Sequence, residues 1–187
     1  MFLDIGIGIL LSIWTSWFFY TDLTFALIII GIIFALLPDI DFFIEFIKHG
    51  SVGGKVIREH RELIHFPIIY IPIAILIFIL YGTMWATLFS LMLCVHFLHD
   101  SIGIGWGIKW LWPFSRRSYK FFSEKDGRFS SRLIVSWDHK ELTGVVANHG
   151  DPNWIKNIYL RLHPVSVIEF FVFIISLLVL YFYLYLH

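Results

Sequence analysis

The sequence predicts an all-α, polytopic membrane protein with about five transmembrane helices. Hydrophobic residues make up 58% of the 187-residue chain, and its mean hydropathy is +0.79. Soluble domains contain roughly 45–50% apolar residues even when glycine is counted, so this composition is typical of a membrane protein. Lysine and arginine are also confined to two stretches of the chain, as expected when the segments between them cross a bilayer.

Five apolar segments account for the predicted helices. An α-helix needs ~20 residues to cross a bilayer, and the second and fourth segments are slightly shorter than that. Short spans are compatible with polar helix ends that lie below the headgroups, inside protein. Four or five spans fit the sequence, and five is preferred. The segments are residues 2–20, 23–37, 63–81, 83–99 and 165–186.

The basic residues predict the topology. Four of them lie between Lys48 and Arg61, and the other ten lie between Lys109 and Arg161. Five spans would place both stretches on the same side of the membrane. The positive-inside rule therefore puts the N-terminus and both long loops in the cytoplasm, with the protein in the inner or plasma membrane.

The loop 101–164 is too long to be a simple connection. Its first part interleaves aromatic and basic side chains, which the headgroup layer accepts, so membrane lipid is its predicted partner. Within it, residues 132–146 fit either a short strand pair or a helix. We treat residues 1–187 as one integral-membrane domain in which residues 101–164 form a cytoplasmic interfacial insertion.

Composition also limits which binding partners are expected. The formal net charge is zero, so no basic excess is present to neutralise the phosphates of a nucleic acid. The single cysteine, Cys94, lies in an apolar run and is interpreted as a packing residue. The sequence does not indicate an oligomeric state.

Ionisable residues border the cytoplasmic ends of the predicted spans. Such groups are costly at membrane depth, and each is therefore a functional hypothesis. The set comprises Asp4, Asp39, Asp41, His60, His65, His96, His99, Asp100 and Glu169.

His96 and Asp100 form the most informative pair. They lie four residues apart near the end of the fourth segment, so a helix presents both on one face, where they can bind one metal ion. His99 is a further candidate, as a ligand, as a general acid or base, or as an interfacial residue.

Pro38 predicts a break at the end of the second segment. The break frees Asp39 and Asp41 to point at a common centre, although two solvated carboxylates would also fit. His60 and His65 are five residues apart and diverge by about 140° on a regular helix. We therefore expect His60 in the preceding loop and His65 in the first helical turns, as a metal ligand or as a buried histidine bonded to a carbonyl group.

Asp4 and Glu169 lie within the first and last segments. A glutamate or aspartate in a membrane needs a proton, a cation or another partner. Each is therefore predicted to bind a metal or to support residues that do.

Several motifs occur in an order that resembles a known family, the YdjM-like, LexA-regulated, membrane-bound metal-dependent hydrolases. They are Leu-Leu-Pro-Asp-Ile-Asp at 36–41, His-Arg-x3-His at 60–65 and His-x3-Asp at 96–100, followed by a glycine-rich step at 103–107 and Leu-Trp-Pro-Phe-Ser-Arg-Arg at 111–117. The family is in turn distantly similar to zinc-dependent phospholipase C. The resemblance implies a metal-binding set of Asp39, Asp41, His60, His65, His96 and Asp100.

The chain departs from this family at three points, one of which is the additional His99. Family members usually have a histidine shortly before a glycine near the N-terminus, where this chain has Asp4 before Gly6. The usual His-Arg-Gly-x-Thr-His-Ser is here His-Arg-Glu-Leu-Ile-His-Phe, which lacks two hydroxyl groups that could orient the ligands.

The combined hypothesis is a hydrolase in which metal-activated water attacks an ester or phosphoester of a lipid or amphiphilic substrate. Zinc suits the imidazoles, while the carboxylates leave manganese or magnesium open. Asp41 or His99 would accept the proton, and Arg116 and Arg117 would either hold a phosphate or anchor the loop to headgroups. The rival hypotheses are a metal-binding or metal-carrying protein without turnover, and a structural membrane protein. The predicted metal ligands are Asp4, Asp39, Asp41, His60, His65, His96, Asp100 and Glu169.

Overall fold

Helices dominate the computed structural model, which describes residues 1–40, 44, 47, 64–125, 128, 129, 131–151 and 153–186. The prediction of a mainly helical chain is confirmed. In chain order the regular elements are α1 (Phe2–Phe18), α2 (Phe25–Leu36), α3 (Ile71–Tyr81), α4 (Thr83–Asp100), β1 (Ile102–Gly103), β2 (Ser118–Lys125), β3 (Arg128–Phe129), β4 (Ile134–Trp137), α5 (His139–His149) and α6 (Pro164–Leu186).

The chain divides into two compact units. We call them the helical unit and the mixed unit, and α4 and α6 each contribute residues to both. The helical unit comprises Met1–Pro38, Tyr70–His96 and Val167–His187, and the mixed unit comprises Asp39–Ile69 and Phe97–Ser166. The expectation of a single domain stays a prediction.

The helices α1, α2, α3, α4 and α6 overlap the five predicted apolar segments, and local chemistry explains their ends. The Thr24 hydroxyl accepts a hydrogen bond from the Leu27 amide at the start of α2. Pro38 lies in a short 3-10 turn directly after α2, as expected of a proline that cannot continue an α-helix. Gly82 separates α3 from α4 with a φ of +85°, a conformation that glycine adopts without strain.

Helix length supports fewer spans than expected. Among the described residues, only α6, with 23 residues, is both long and apolar enough to cross a membrane. Other apolar helices are too short by this criterion, because they have 10–17 residues. The prediction of about five transmembrane helices is therefore not supported by the helices of this structure.

The prediction that the fold is all-α is wrong for the mixed unit. β2 pairs in parallel with β1 and in antiparallel fashion with β3 and β4, and Ser118 to Phe121 lie opposite Trp137 to Ile134. The segment 132–146, for which strand and helix were both open, contains β4 followed by α5. Ser118 and Lys120 are buried in β2, so its inward residues are polar and hydropathy does not reveal the strand.

In the helical unit, glycines of α1 permit very close helix packing. A methyl group added at Gly6 would lie 3.0 Å from the Cα atom of Phe173 in α6, and one added at Gly8 would lie 2.9 Å from the Cα atom of Ile32 in α2. Such small-residue contacts are typical of helix pairs in membranes. α1 therefore packs directly against α6 and α2, and its first turn lies beside α6.

Candidate metal centre

The first group of converging ionisable residues lies in the helical unit. The Nδ1 atom of His96 is 3.3 Å from the Oδ1 atom of Asp4, and each side chain is only 2% exposed. The Met1 amino nitrogen lies 2.9 Å from Asp4 Oδ2 and 3.3 Å from Glu169 Oε2, so the two carboxylates are neighbours. Glu169 is 4% exposed. We call Asp4, His96 and Glu169 the helical-unit cluster.

The close packing of α1 against α6 accounts for two members of this cluster. Asp4 precedes Gly6 by two residues, and Glu169 precedes Phe173 by four, which is about one helical turn. The contact between Gly6 and Phe173 therefore brings the neighbouring turns, and their carboxylates, together. Asp4 also lies in the first turn of α1, where the helix dipole favours a negative charge.

The second group lies in the mixed unit and combines residues from three parts of the chain. The Nε2 atom of His65 is 3.2 Å from Asp100 Oδ2 and 3.8 Å from Asp39 Oδ1. The exposed fractions of these side chains are 2% for His65, 12% for Asp100 and 27% for Asp39. We call these three residues the mixed-unit cluster.

Backbone irregularity places two members of the mixed-unit cluster. Asp39 ends the 3-10 turn made by Pro38, in agreement with the predicted break. His65 lies just before the 3-10 helix Pro67–Tyr70, so its expected position in the first helical turns is wrong. Pro67 explains this, because a proline disfavours helical geometry in the residue before it.

Helix α4 carries one residue of each cluster. His96 belongs to the helical-unit cluster and Asp100 to the mixed-unit cluster, and α4 is helical through Asp100. Residues four apart on a helix are neighbours on one face. That His96 and Asp100 bind one metal ion stays a prediction.

The distances between imidazole nitrogen and carboxylate oxygen atoms agree with the spacing of ligand atoms around a divalent metal ion. Bonds of about 2.0–2.2 Å to a tetrahedral zinc ion put adjacent ligand atoms about 3.3–3.6 Å apart. The three imidazole–carboxylate distances, 3.2, 3.3 and 3.8 Å, bracket this range. The shortest of them, 3.2 Å, is also compatible with an N–H···O hydrogen bond. The residues present therefore fit a divalent cation.

Charge leads to the same conclusion. Each cluster contains two carboxylates and one imidazole, which gives a formal charge of −2 when the carboxylates are ionised and the histidine is neutral. In the helical-unit cluster the Met1 ammonium lies beside both carboxylates and offsets one of these charges. Burying such charge is costly unless it is balanced, and a divalent cation bound by oxygen and nitrogen atoms balances it.

Not all predicted site residues join these clusters. Asp41 and His60 lie outside the described residues, so their predicted metal binding stays a prediction. His99 is half-buried on α4, next to Asp100. Arg116 and Arg117 are exposed, and the Arg117 guanidinium donates to the Ser136 hydroxyl and carbonyl oxygens at 3.0 and 3.3 Å. The proposed roles of these residues in proton transfer and phosphate binding stay predictions.

The second half of the matching motif set packs beside the mixed-unit cluster. The Trp112 ring stacks on Phe66, with ring centroids 4.9 Å apart and an interplanar angle of 12°. Phe66 directly follows His65, and the Lys109 ammonium lies 5.7 Å from the centroid of the Phe66 ring. Residues 109–112 therefore pack against Phe66, the residue that directly follows His65.

Two buried lysines have no clear signal in the sequence. Lys109 is 7% exposed, and Lys120 is fully buried. Both lie in a stretch rich in aromatic and basic residues, which the sequence assigns to the membrane surface. The alternation of Ser118 and Lys120 is the one feature that would have indicated an inward-facing lysine.

Comparison with known proteins identifies the family. The family described as YdjM inner membrane protein matches residues 4–187, a range that contains every member of both clusters. The chain belongs to the YdjM inner membrane protein family. No curated protein and no solved structure matches it. The predicted membrane location agrees with the family description, while the cytoplasmic orientation, the hydrolase activity and the likeness to phospholipase C stay predictions.

Proposed function

We propose that this YdjM family member is a membrane-embedded, metal-dependent hydrolase that acts on an ester or phosphoester of a lipid or amphiphilic substrate. The observation that carries the proposal is the pair of carboxylate–imidazole clusters with a shared helix, α4. Buried ionisable side chains in a membrane protein are costly, and they usually mark a functional site.

Each cluster is assigned one divalent cation. Asp4, His96 and Glu169 would hold the first, and Asp39, His65 and Asp100 would hold the second. By their place in the motifs that resemble the metal-dependent hydrolases, Asp41 and His60 would complete the second site. The imidazoles favour zinc, and the share of carboxylates keeps manganese and magnesium as alternatives.

The proposed hydrolysis needs an activated water molecule and a group that accepts its proton. A divalent cation held in these clusters would supply Lewis-acid activation of water and lower the pKa of that water toward about 7. His99 and Asp41 are the proposed proton acceptors. His99 is half-buried on α4 beside Asp100, a position that limits access of bulk water.

The exposed surface of the loop after β1 suits an amphiphilic substrate. Leu111 and Phe114 are 53% and 89% exposed, and exposed Arg116 and Arg117 follow them. Apolar side chains next to guanidinium groups match a molecule with an acyl chain and a phosphate. This favours a lipid-like phosphoester over a fully soluble one.

The membrane arrangement is part of the proposal. We place α1, α2, α3 and most of α4 in the bilayer together with α6, with the loops and clusters on the cytoplasmic side. Helix α3 supports this, because it consists almost entirely of apolar residues and none of them is buried in the protein. A helix that is apolar on all sides requires apolar surroundings.

Metal content tests the proposal directly. The protein is purified in detergent without chelator, loaded with zinc or manganese, desalted and analysed by mass spectrometry. We expect two metal ions in the wild type, one in Asp4→Asn and one in Asp100→Asn. Asp22→Asn, in the exposed turn before α2, is the matched control and should retain two. A folded wild type that retains neither metal after loading contradicts the proposal.

Activity is tested next, with phosphoesters and carboxylic esters in mixed lipid–detergent micelles. We expect hydrolysis that a chelator abolishes and that added metal restores. Turnover should be lost in both cluster variants and retained in Asp22→Asn.

The second candidate is a metal-binding or structural membrane protein without turnover. The contact between Arg117 and Ser136 favours it, because a guanidinium already bonded to β4 is less available to a substrate. Stoichiometric metal with no hydrolysis of any ester in the micelle assay would support this candidate.

A further inference from the structure

A buried ammonium group holds the end of helix α4. Lys120 lies on β2 and is fully buried. Its Nζ atom donates to the Asp100 carbonyl oxygen at 2.9 Å and also to the carbonyl oxygen of Ile104. Both acceptors belong to the mixed unit, and Asp100 is a member of the mixed-unit cluster.

Three further bonds fix the same turn. The Ser101 hydroxyl donates to the Phe97 carbonyl at 2.7 Å and accepts from the Trp110 indole nitrogen at 2.8 Å. The amide of Phe121, next to Lys120 on β2, donates to the Ser101 carbonyl. The sheet and the loop therefore hold the main chain directly after the Asp100 Cα atom.

A lysine in this position needs an explanation, because burying an ammonium group is costly unless it is hydrogen-bonded and its charge is stabilised. The carbonyl groups at a helix C-terminus carry partial negative charge, which stabilises a cation there. An apolar residue would pack at this position without that cost, but it would leave the carbonyl groups of Asp100 and Ile104 without this donor.

We propose that Lys120 is a positioning residue for the metal site of the mixed-unit cluster. It fixes the main chain of Asp100, and thereby directs the Asp100 carboxylate toward His65. It also adds a fixed positive charge beside a cluster that contains two carboxylates. This inference rests on the proposed function, since it presupposes a cation at Asp39, His65 and Asp100.

Metal affinity in Lys120 variants tests the inference. Zinc dissociation constants are measured by competition with a chromogenic chelator, on full-length protein that elutes as a single folded species. Loss of groups that orient metal ligands typically weakens affinity about 10–100-fold, and we expect this loss at the mixed-unit site in Lys120→Met. Lys140→Met, on the exposed surface of α5, is the matched control and should keep wild-type affinity.

Two further variants separate positioning from general stability. In the Asp100→Asn background only the helical-unit site should still bind zinc, so Lys120→Met should change the zinc affinity there less than 3-fold, because Lys120 acts through the mixed-unit site. Lys120→Arg keeps the positive charge but replaces the compact ammonium group with a planar guanidinium, so we expect the zinc affinity of the mixed-unit site to fall about 3–10-fold. If Lys120→Met does not fold, Lys120→Arg serves as the test variant.

The outcomes separate the two proposals. Wild-type protein that binds zinc, with folded Lys120→Met at wild-type affinity, overturns the role of Lys120 and leaves the proposed function intact. If only Lys120→Arg folds, wild-type zinc affinity in that variant likewise overturns the role of Lys120 and leaves the proposed function intact. Equal additional loss in the Asp100→Asn background also overturns positioning through Asp100. Wild-type protein that binds neither zinc nor manganese overturns both proposals.

Discussion

The two units bury polar groups in different ways. In the helical unit, glycines let α1 approach α6 and α2 closely, and the buried carboxylates lie on regular helices. In the mixed unit, Asp39 and His65 lie in irregular backbone, and a short sheet supplies Lys120 to hold the end of α4. The first arrangement depends on backbone proximity, whereas the second depends on hydrogen bonds between distant segments. The two should therefore respond to different kinds of mutation.

The largest expected effect is steric and confined to the helical unit. Gly8→Leu would place side-chain atoms where even a methyl group lies 2.9 Å from the Cα atom of Ile32. We expect a loss of about 3 kcal/mol or more, or failure to fold, measured by thermal unfolding in detergent. The matched control is Gly144→Ala on α5, where an added methyl meets nothing within 4 Å. That control should be stabilised by about 0.5–1 kcal/mol. Wild-type stability in Gly8→Leu would disprove the close contact.

Metal removal is expected to have the next largest effect. A cation at 100 times its dissociation constant stabilises the folded state by about 2.7 kcal/mol, so a chelator should lower the unfolding temperature of the wild type. Asp4→Asn and Asp100→Asn should each retain part of this chelator-sensitive shift, because each leaves one cluster intact. An unfolding temperature that does not respond to a chelator, in protein shown to contain metal, would contradict this expectation.

A smaller effect is expected at the end of α4. Ser101→Ala removes a buried hydroxyl that bonds both Phe97 and Trp110, and it leaves the Trp110 indole nitrogen without this acceptor. We expect a loss of about 1–2 kcal/mol, together with a change in tryptophan fluorescence. Ser115→Ala, in the partly exposed loop, is the control and should change stability by less than about 0.5 kcal/mol. Equal stability of the two variants would show that the bonds of Ser101 are unimportant.

The smallest effect is expected on the surface of the mixed unit. Arg117→Ala removes exposed hydrogen bonds to Ser136, and such bonds contribute only about 0.5–1 kcal/mol. If Arg117 also binds the substrate phosphate, the variant should raise KM in the micelle assay with little change in stability. Unchanged KM would assign Arg117 to the support of β4 alone.

The sequence predicts the helices better than it predicts the sheet. Long apolar runs define α1, α2, α3, α4 and α6, because hydropathy reports burial in lipid or protein along a whole helix. In β2 the buried positions are Ser118 and Lys120, while the neighbouring Tyr119 and Phe121 are more exposed. A strand whose inward residues are polar carries the reverse of the usual pattern, and hydropathy alone therefore misses it.

The sequence indicates which ionisable residues are candidates for a site better than it indicates how they group. Helical spacing is a local property, so His96 and Asp100 can be placed on one face from the sequence. The contact of His65 with Asp100, in contrast, joins residues far apart in the chain and depends on where the backbone turns before Pro67. For the same reason, the support of Asp100 by Lys120 has no counterpart in any sequence motif.

Helix α4 also limits how the chain can change in length. Inserting or deleting one residue between His96 and Asp100 would rotate one of them by about 100° relative to the other and shift it by about 1.5 Å. Such an event would detach a side chain from one cluster even if every amino-acid type were retained. The end of α4 can therefore accept substitutions between His96 and Asp100, but a change of its length in this stretch would disrupt one of the two clusters.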